Sequence, residues 1–116
     1  MTVIQDIVIY AGNNEVLWFS IYDEITLIPR DITNTTARFY LYNDDTREVL
    51  VTKTITSFAV PVSGILTVPL LPVDTEDLIS TVDYGFELTI TDQSQNIYTA
   101  TQGKVIVKGS NANDYL

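Results

Sequence analysis

The sequence predicts an all-β protein: an antiparallel β-sandwich of seven to eight short strands with one short helix near residues 74–80. Apolar and polar residues alternate along most of the chain, which is the period of a half-buried strand. Turn-forming residues separate these runs at short intervals, as in antiparallel hairpins. The chain has 116 residues, and two sheets packed face to face are a common all-β solution at this length.

The first two predicted strands lie on either side of a short turn. Residues 3–10 are rich in β-branched and aromatic residues, and residues 15–22 alternate between two faces after the turn Gly12–Asn14. The segment ITLIPRDITNTT that follows is a connection, because Pro29 lacks the N–H that a central strand needs. We expect the first strand to pair within the domain. A partner subunit that covers it is the alternative, since the strand has a single charge and no proline.

A hairpin and a short strand are predicted in the middle of the chain. Residues 36–42 and 48–56 alternate on either side of the turn Asn43–Thr46, where Asn and Asp side chains bond the nearby backbone. Gly64 marks a further turn before a short strand at residues 65–69.

Only one segment has a helical pattern. It follows Pro72, with Asp74 as the expected N-cap and Asp77 near the positive end of the helix dipole. We expect one or two turns over residues 74–80. With Glu76, these residues form the densest carboxylate cluster, but the alternating Asp/Asn pattern of a calcium loop is absent. We therefore interpret the cluster as the start of a helix with a solvated face.

Two strands are predicted in the last part of the chain. The stretch DYGFELTITD, residues 83–92, should form a wall of the core, because its large side chains fall on one face. These side chains are Tyr84, Phe86, Leu88 and Ile90. Residues 96–109 should form one long strand or two, with a bulge near Gly103. We predict one domain over residues 1–109 and a flexible polar tail over residues 110–116.

The residue composition argues against an enzyme. The chain has no cysteine and no histidine, which excludes thiol nucleophiles, disulfides and the commonest general base within this chain. A Ser–His–Asp arrangement is excluded for the same reason. The glycines do not form a phosphate-binding motif. We predict no catalytic residue, no cofactor and no metal site.

The charge balance argues against two classes of partner. The net charge is −9, and the chain has only six Lys and Arg residues. Binding to a phosphate backbone or to an anionic membrane surface requires clustered positive charge. We therefore predict no nucleic-acid partner and no membrane partner.

The N-terminal sequence does not predict export or membrane insertion. The stretch MTVIQDIVIYAG has no basic region, and Asp6 interrupts its apolar run. No apolar run in the sequence approaches the roughly 18 residues of a membrane span. We expect the protein to be made and used in a cytoplasm, or to be carried outward as part of an assembly.

Four aromatic residues are candidates for an interface, because they lie opposite the predicted core faces of two strands. They are Trp18, Tyr22, Tyr40 and Tyr42. Trp and Tyr are enriched at interfaces, since their rings bury a large area at a low entropy cost. Cross-strand pairing on a solvated face and stacking on a sugar are the alternatives.

Several short motifs occur in order along nearly the whole chain. They are EVLWFSIYDE, then DITNTTARFYLY at Asp31–Tyr42, DTEDL at Asp74–Leu78, YGFELTITD at Tyr84–Asp92 and TATQGKVIV at Thr99–Val107. In their order and spacing, the chain resembles a family of small immunoglobulin-like β-sandwich domains in tailed bacteriophages. These domains occur at the N-termini of baseplate and tail-fibre proteins and as separate virion proteins. The chain departs from the family pattern in its loops, where Asn13 follows Gly12 and the turns after Tyr22 and Tyr98 lack glycine.

The resemblance implies an immunoglobulin-like fold and a non-enzymatic structural role in a phage virion, in the tail, baseplate or fibre. It implies that the chain is made in the host cytoplasm and is located in the virion. The implied partners are other virion proteins and copies of the chain itself in a symmetric assembly. A capsid decoration protein on the phage head is an alternative, because such proteins use similar small sandwiches. A carbohydrate-binding module that uses Trp18 and Tyr22 is a further alternative.

Overall fold

The computed structural model describes residues 3–23 and 26–109. This part of the chain contains eight strands, one short α-helix and a 3-10 turn at Pro61–Ser63. The strands are β1 (Val3–Ile4), β2 (Ile7–Ala11), β3 (Glu15–Ser20), β4 (Thr36–Asn43), β5 (Val49–Ile55), β6 (Ile65–Leu70), β7 (Tyr84–Thr91) and β8 (Ile97–Gly109). The helix α1 is Pro72–Thr75. The predicted β-rich fold is confirmed.

The strands form a large mixed sheet and a small sheet. The large sheet has the order β1-β8-β7-β4-β5, and β2 also pairs with β8, while β3 and β6 form the small sheet. The prediction of a wholly antiparallel fold was wrong, because β1 and β2 run parallel to β8. The alternation of side chains fixes which face of a strand is buried, but it does not fix the direction of the neighbouring strand.

The predicted first strand is interrupted at Gln5 and Asp6, where its backbone runs close beside Gly103 of β8. The N–H of Gln5 donates to the carbonyl of Gln102 over 3.0 Å, and the Asp6 carboxylate accepts the N–H of Lys104 over 3.2 Å. A Cβ on Gly103 would lie 1.7 Å from the carbonyl oxygen of Gln5. Gly103 is therefore a point of close backbone approach. As expected, the first strand pairs within the domain.

The bulge in β8 lies at Ala100, not near Gly103 as predicted. Leu88 pairs with Thr101 whereas Thr89 pairs with Thr99, so Ala100 is the additional residue. A bulge exchanges the faces of the residues that follow it. Ala100 and Thr101, adjacent in sequence, are consequently both buried.

Three phenylalanine rings join the two sheets in one core. Phe19 of β3 lies 6.2 Å from Phe39 of β4 and 5.8 Å from Phe86 of β7, measured between ring centroids. Phe39 and Phe86 stack at 5.9 Å. The β7 row predicted to form a core wall is buried throughout: Tyr84, Phe86, Leu88 and Ile90.

The helix is shorter and begins earlier than the predicted span of residues 74–80. Pro72 is its first residue and Leu71 is the cap, so Asp74 lies at the third helical position instead of the N-cap. The Asp74 carboxylate accepts the N–H of Leu71 over 2.8 Å. Proline is favoured at the first helical position, where no N–H is required, and it places the start of the helix before Asp74.

Two sequence-based expectations concern the ends of the chain and the membrane. The predicted flexible tail, residues 110–116, lies outside the described residues. Within the described residues, no helix is long and apolar enough to cross a membrane.

The close approach at Gly103 predicts a strong effect of adding one methyl group. Gly103→Ala should lower the free energy of unfolding by about 3 kcal/mol, the upper part of the range for overpacked sites, because the Gln5 backbone has to move. The adjacent control Gln102→Thr should change it by less than about 0.5 kcal/mol, because the Gln102 side chain is exposed. Urea unfolding of both variants measures the difference, and equal stabilities would contradict the close approach of the Gln5 backbone to Gly103.

Candidate functional site

Trp18 lies on the outer face of the small sheet. The side chains of β3 alternate: Phe19 is buried in the core, while Val16 and Trp18 are 56% and 64% exposed. Trp18 pairs with Thr67 of β6 on the same face. This outer face has no charged side chain, although the chain carries −9. Its residues are Val16, Trp18, Ser20, Ile65, Thr67 and Pro69.

Tyr22 extends the same face beyond the end of β3. It forms an isolated bridge with Pro29, and its side chain is exposed, whereas the preceding Ile21 is buried. The N–H of Arg30 donates to the carbonyl of Ile21 over 2.8 Å, and the N–H of Asp23 donates to the carbonyl of Ile28 over 2.9 Å. Residues 28–30 thus pair with the continuation of β3 and keep it extended.

Tyr40 and Tyr42 lie on the outer face of the large sheet, and both are half-buried. The Tyr42 ring covers Gly85, where a Cβ would lie 2.7 Å from ring atoms. The Arg47 guanidinium lies 5.0 Å from the centre of the same ring, and it also forms a 3.0 Å ion pair with Asp44. The Tyr42 ring therefore packs within the domain, because it fills the space above a glycine in the neighbouring strand.

Polar side chains on the outer face of the large sheet bond one another across strands, and the exposed Val8 and Ile106 lie on the same face at β2 and β8. The Thr99 hydroxyl donates to the Glu87 carboxylate over 2.7 Å, and the Arg38 guanidinium donates to the Thr91 hydroxyl over 3.2 Å. The two sheets pack through their inner faces, so this face points away from the face of Trp18 and Tyr22. The structure consequently separates the four candidate residues into two pairs on opposite sides of the domain.

Asp74, one of the three acidic residues near α1, is used within the fold. The Asp74 carboxylate pairs with the Lys53 ammonium at 2.8 Å. Lys53 lies on the inward face of the edge strand β5, opposite the buried Phe39, so its long side chain carries the charge to the rim of the core. Within the described residues, no group of three or more acidic residues could hold a metal ion.

A second carboxylate pair lies at neighbouring loops, and each member closes its own turn. Asp31 accepts the N–H of Thr33 over 2.9 Å. Asp92 accepts the N–H groups of Ser94 and Asn96, each over 2.9 Å. Turn formation accounts for both carboxylates.

The sequence did not indicate the open backbone edge of β3. The N–H of Ile21 donates to the carbonyl of Gly64 over 2.8 Å. With the register of β3 on β6, this bond places the N–H and C=O groups of the odd-numbered residues toward β6. Those of Val16, Trp18 and Ser20 point to the opposite side, where β3 has no neighbouring strand among the described residues. The bridge pattern at Tyr22 continues this open edge.

The other edge of the small sheet is protected, in contrast to that of β3. On β6, the residues whose N–H and C=O groups point away from β3 are Ile65, Thr67 and Pro69. Ile65 exchanges two hydrogen bonds with Val60, of 3.0 and 3.1 Å, and Pro69 has no N–H to offer. Proline and local pairing are common means of blocking a strand edge. The β3 edge has neither.

No family model matches the chain, and no similar curated protein or solved structure was found.

The Lys53–Asp74 pair predicts a pH-dependent contribution to stability. Burial raises the pKa of the Asp74 carboxyl, but hydrogen bonds from Lys53 and Leu71 and the charge of Lys53 outweigh it, so the pKa lies below its ordinary value. A carboxylate with a lowered pKa stabilises the fold above an unfolded pKa of about 4, and this contribution is lost as the pH falls through the folded-state pKa.

Asp74→Asn should therefore cost about 1 kcal/mol of unfolding free energy at pH 7, a value reduced for partial solvent screening. The difference from the parent should shrink when the pH falls below about 4. Urea unfolding between about pH 2 and pH 7 measures it. The control Asp45→Asn, in the exposed turn, keeps the ion pair and should follow the parent. A constant difference across the whole pH range would contradict this role of the pair.

Proposed function

We propose that this chain is a non-enzymatic structural protein of a bacteriophage virion, associated with the tail, baseplate or fibre, and that it acts through protein–protein contacts. The observation that carries the proposal is the small sheet. On a chain of net charge −9, it combines an uncharged outer face, the exposed Trp18 and Tyr22, and an unprotected backbone edge. Exposed apolar surfaces and open edges of this kind are typical of interaction sites.

The strand order supports the immunoglobulin-like part of the proposal. The order β8-β7-β4-β5 corresponds to strands G, F, C and C′ of a variable-type immunoglobulin domain, and β3-β6 corresponds to B and E. In that fold a tyrosine near the start of strand F bonds the backbone a few residues upstream. Here the N–H of Ile79 donates to the Tyr84 hydroxyl over 3.2 Å, at the start of β7.

The core also supports the immunoglobulin-like part of the proposal, although the chain has no cysteine. In immunoglobulin domains a disulfide joins strands B and F beside a tryptophan on strand C, and its second cysteine follows the corner tyrosine by two residues. In this chain Phe86 follows Tyr84 by two residues. It contacts Phe19 on the B-equivalent strand and Phe39 on the C-equivalent strand. Three aromatic rings thus take the place of the disulfide and tryptophan.

The virion location rests on the motif order along the chain, from EVLWFSIYDE to TATQGKVIV, which resembles the phage domains. The proposed partners are other virion proteins and copies of the chain. The acidic charge makes nucleic acid and anionic membranes poor partners. A sugar-binding role for Trp18 and Tyr22 receives less support than a protein contact, because an open strand edge provides backbone bonds that suit another polypeptide.

Separation of particles into heads and tails tests the proposal. Purified virions of the phage that encodes the chain should contain it by mass spectrometry, and after disruption it should sediment with the tail fraction. Its presence in the head fraction would overturn the tail assignment in favour of a decoration protein. Its absence from particles, while it is synthesised in infected cells, would overturn the virion role.

A further inference from the structure

We propose that β3 pairs with β3 of a second copy, antiparallel and about a two-fold axis at Trp18, so that the two small sheets join into one. The inference gives the proposed assembly role a specific contact and in that sense rests on it. It follows from three features of the described residues: an open edge, an uncharged face and a register without opposed like charges.

The open edge offers backbone groups that a strand of the same kind can satisfy. Val16, Trp18 and Ser20 direct their N–H and C=O groups away from β6. In an antiparallel pair of strands, residues whose N–H and C=O groups point toward the neighbouring strand lie opposite one another, and each such pair exchanges two hydrogen bonds. With Trp18 on the two-fold axis, Val16 lies opposite Ser20 of the second copy, and Trp18 lies opposite Trp18. In this register, residues 16–20 of β3 pair with the same residues of the second copy.

The side chains on the outer face favour a second copy over a charged partner. Each copy carries −9, so two copies repel one another over most of their surfaces. The outer face of the small sheet carries no charge, and there the repulsion between copies is weakest. Trp18 of each copy would lie beside its counterpart, and aromatic pairs across strands stabilise such contacts.

The charged residues at the ends of the strand disfavour a shift of the register toward the C-terminal end of β3. A shift that places Trp18 opposite Ser20 of the second copy would place Glu15 opposite Asp23, and like charges directly opposite one another are unfavourable. In the register centred on Trp18, Glu15 lies opposite Ile21 of the second copy. The Glu15 carboxylate already accepts the N–H of Tyr10 over 2.9 Å, which holds it at the end of the strand.

Sedimentation equilibrium of the full chain tests the proposal over concentrations from about 1 μM to about 1 mM. The parent should show a monomer–dimer equilibrium. Trp18→Lys should raise the dissociation constant at least about tenfold, because lysine on an edge strand opposes pairing. Thr54→Lys adds the same charge to an exposed position of β5, outside the small sheet, and should dimerise like the parent.

A matched pair of proline variants tests the backbone itself. Ser20→Pro removes an N–H from the open edge of β3 and should weaken the dimer, whereas Thr67→Pro removes one from the protected edge of β6 and should not. Near-ultraviolet circular dichroism checks that each variant is folded. If a proline variant does not fold, amide exchange of the parent decides: the amides of Val16, Trp18 and Ser20 should become more protected as concentration rises.

A parent that stays monomeric over the whole range would overturn the proposal. So would a dimer that Trp18→Lys and Thr54→Lys leave equally strong, or one in which the β3 amides gain no protection. These measurements use the purified chain alone. A failure here is therefore distinguishable from the absence of the chain in virions.

Discussion

The contact between Phe19, Phe39 and Phe86 is the interaction on which the rest of the structure depends. It is the point at which a small sheet of two strands meets a large sheet, with ring centroids 5.8 to 6.2 Å apart. A two-stranded sheet is marginally stable alone and requires packing against a further layer. A chain without cysteine cannot join its sheets by a disulfide, so buried aromatic area supplies that stability. Because Phe19 must point inward for this contact, its neighbours Trp18 and Ser20 must point outward.

That coupling explains which features could be predicted from the sequence. The burial of Phe86, Leu88 and Ile90 and the exposure of Trp18 follow from a period of two, which depends only on the local backbone. The parallel pairing of β2 with β8 does not follow from any local pattern, since parallel and antiparallel neighbours can bury the same face. The helix start was misplaced because Asp74 is suited both to an N-cap and to the first turn, and Pro72 decides between the two positions.

The glycines and the candidate aromatic residues show the same limit. The sequence pattern predicts a bulge near Gly103, but the lack of a side chain at Gly103 is required by Gln5, which lies far from it in sequence. Tyr42 was grouped with Trp18 as an exposed aromatic residue, although its ring covers Gly85 of the neighbouring strand. In both cases the decisive contact joins residues from distant parts of the chain. These residues are brought together by the register of the strands, which cannot be read from the sequence pattern.

The sheet edges differ in a way that bears on function. The edge strand β5 carries Lys53 on its inward face, paired with Asp74, and inward-pointing charges hinder the addition of another strand. Pairing with Val60 and the proline at position 69 protect the edge of β6. At the opposite edge of the large sheet, the strand is interrupted at Gln5 and Asp6, between β1 and β2. The edge of β3, with its uncharged aromatic face, has none of these protections. The β3 edge is open and lies on the sheet with the fewest strands. An added strand would therefore contribute most to stability there. It would give β3 a second neighbouring strand, which the central strands of the large sheet already have.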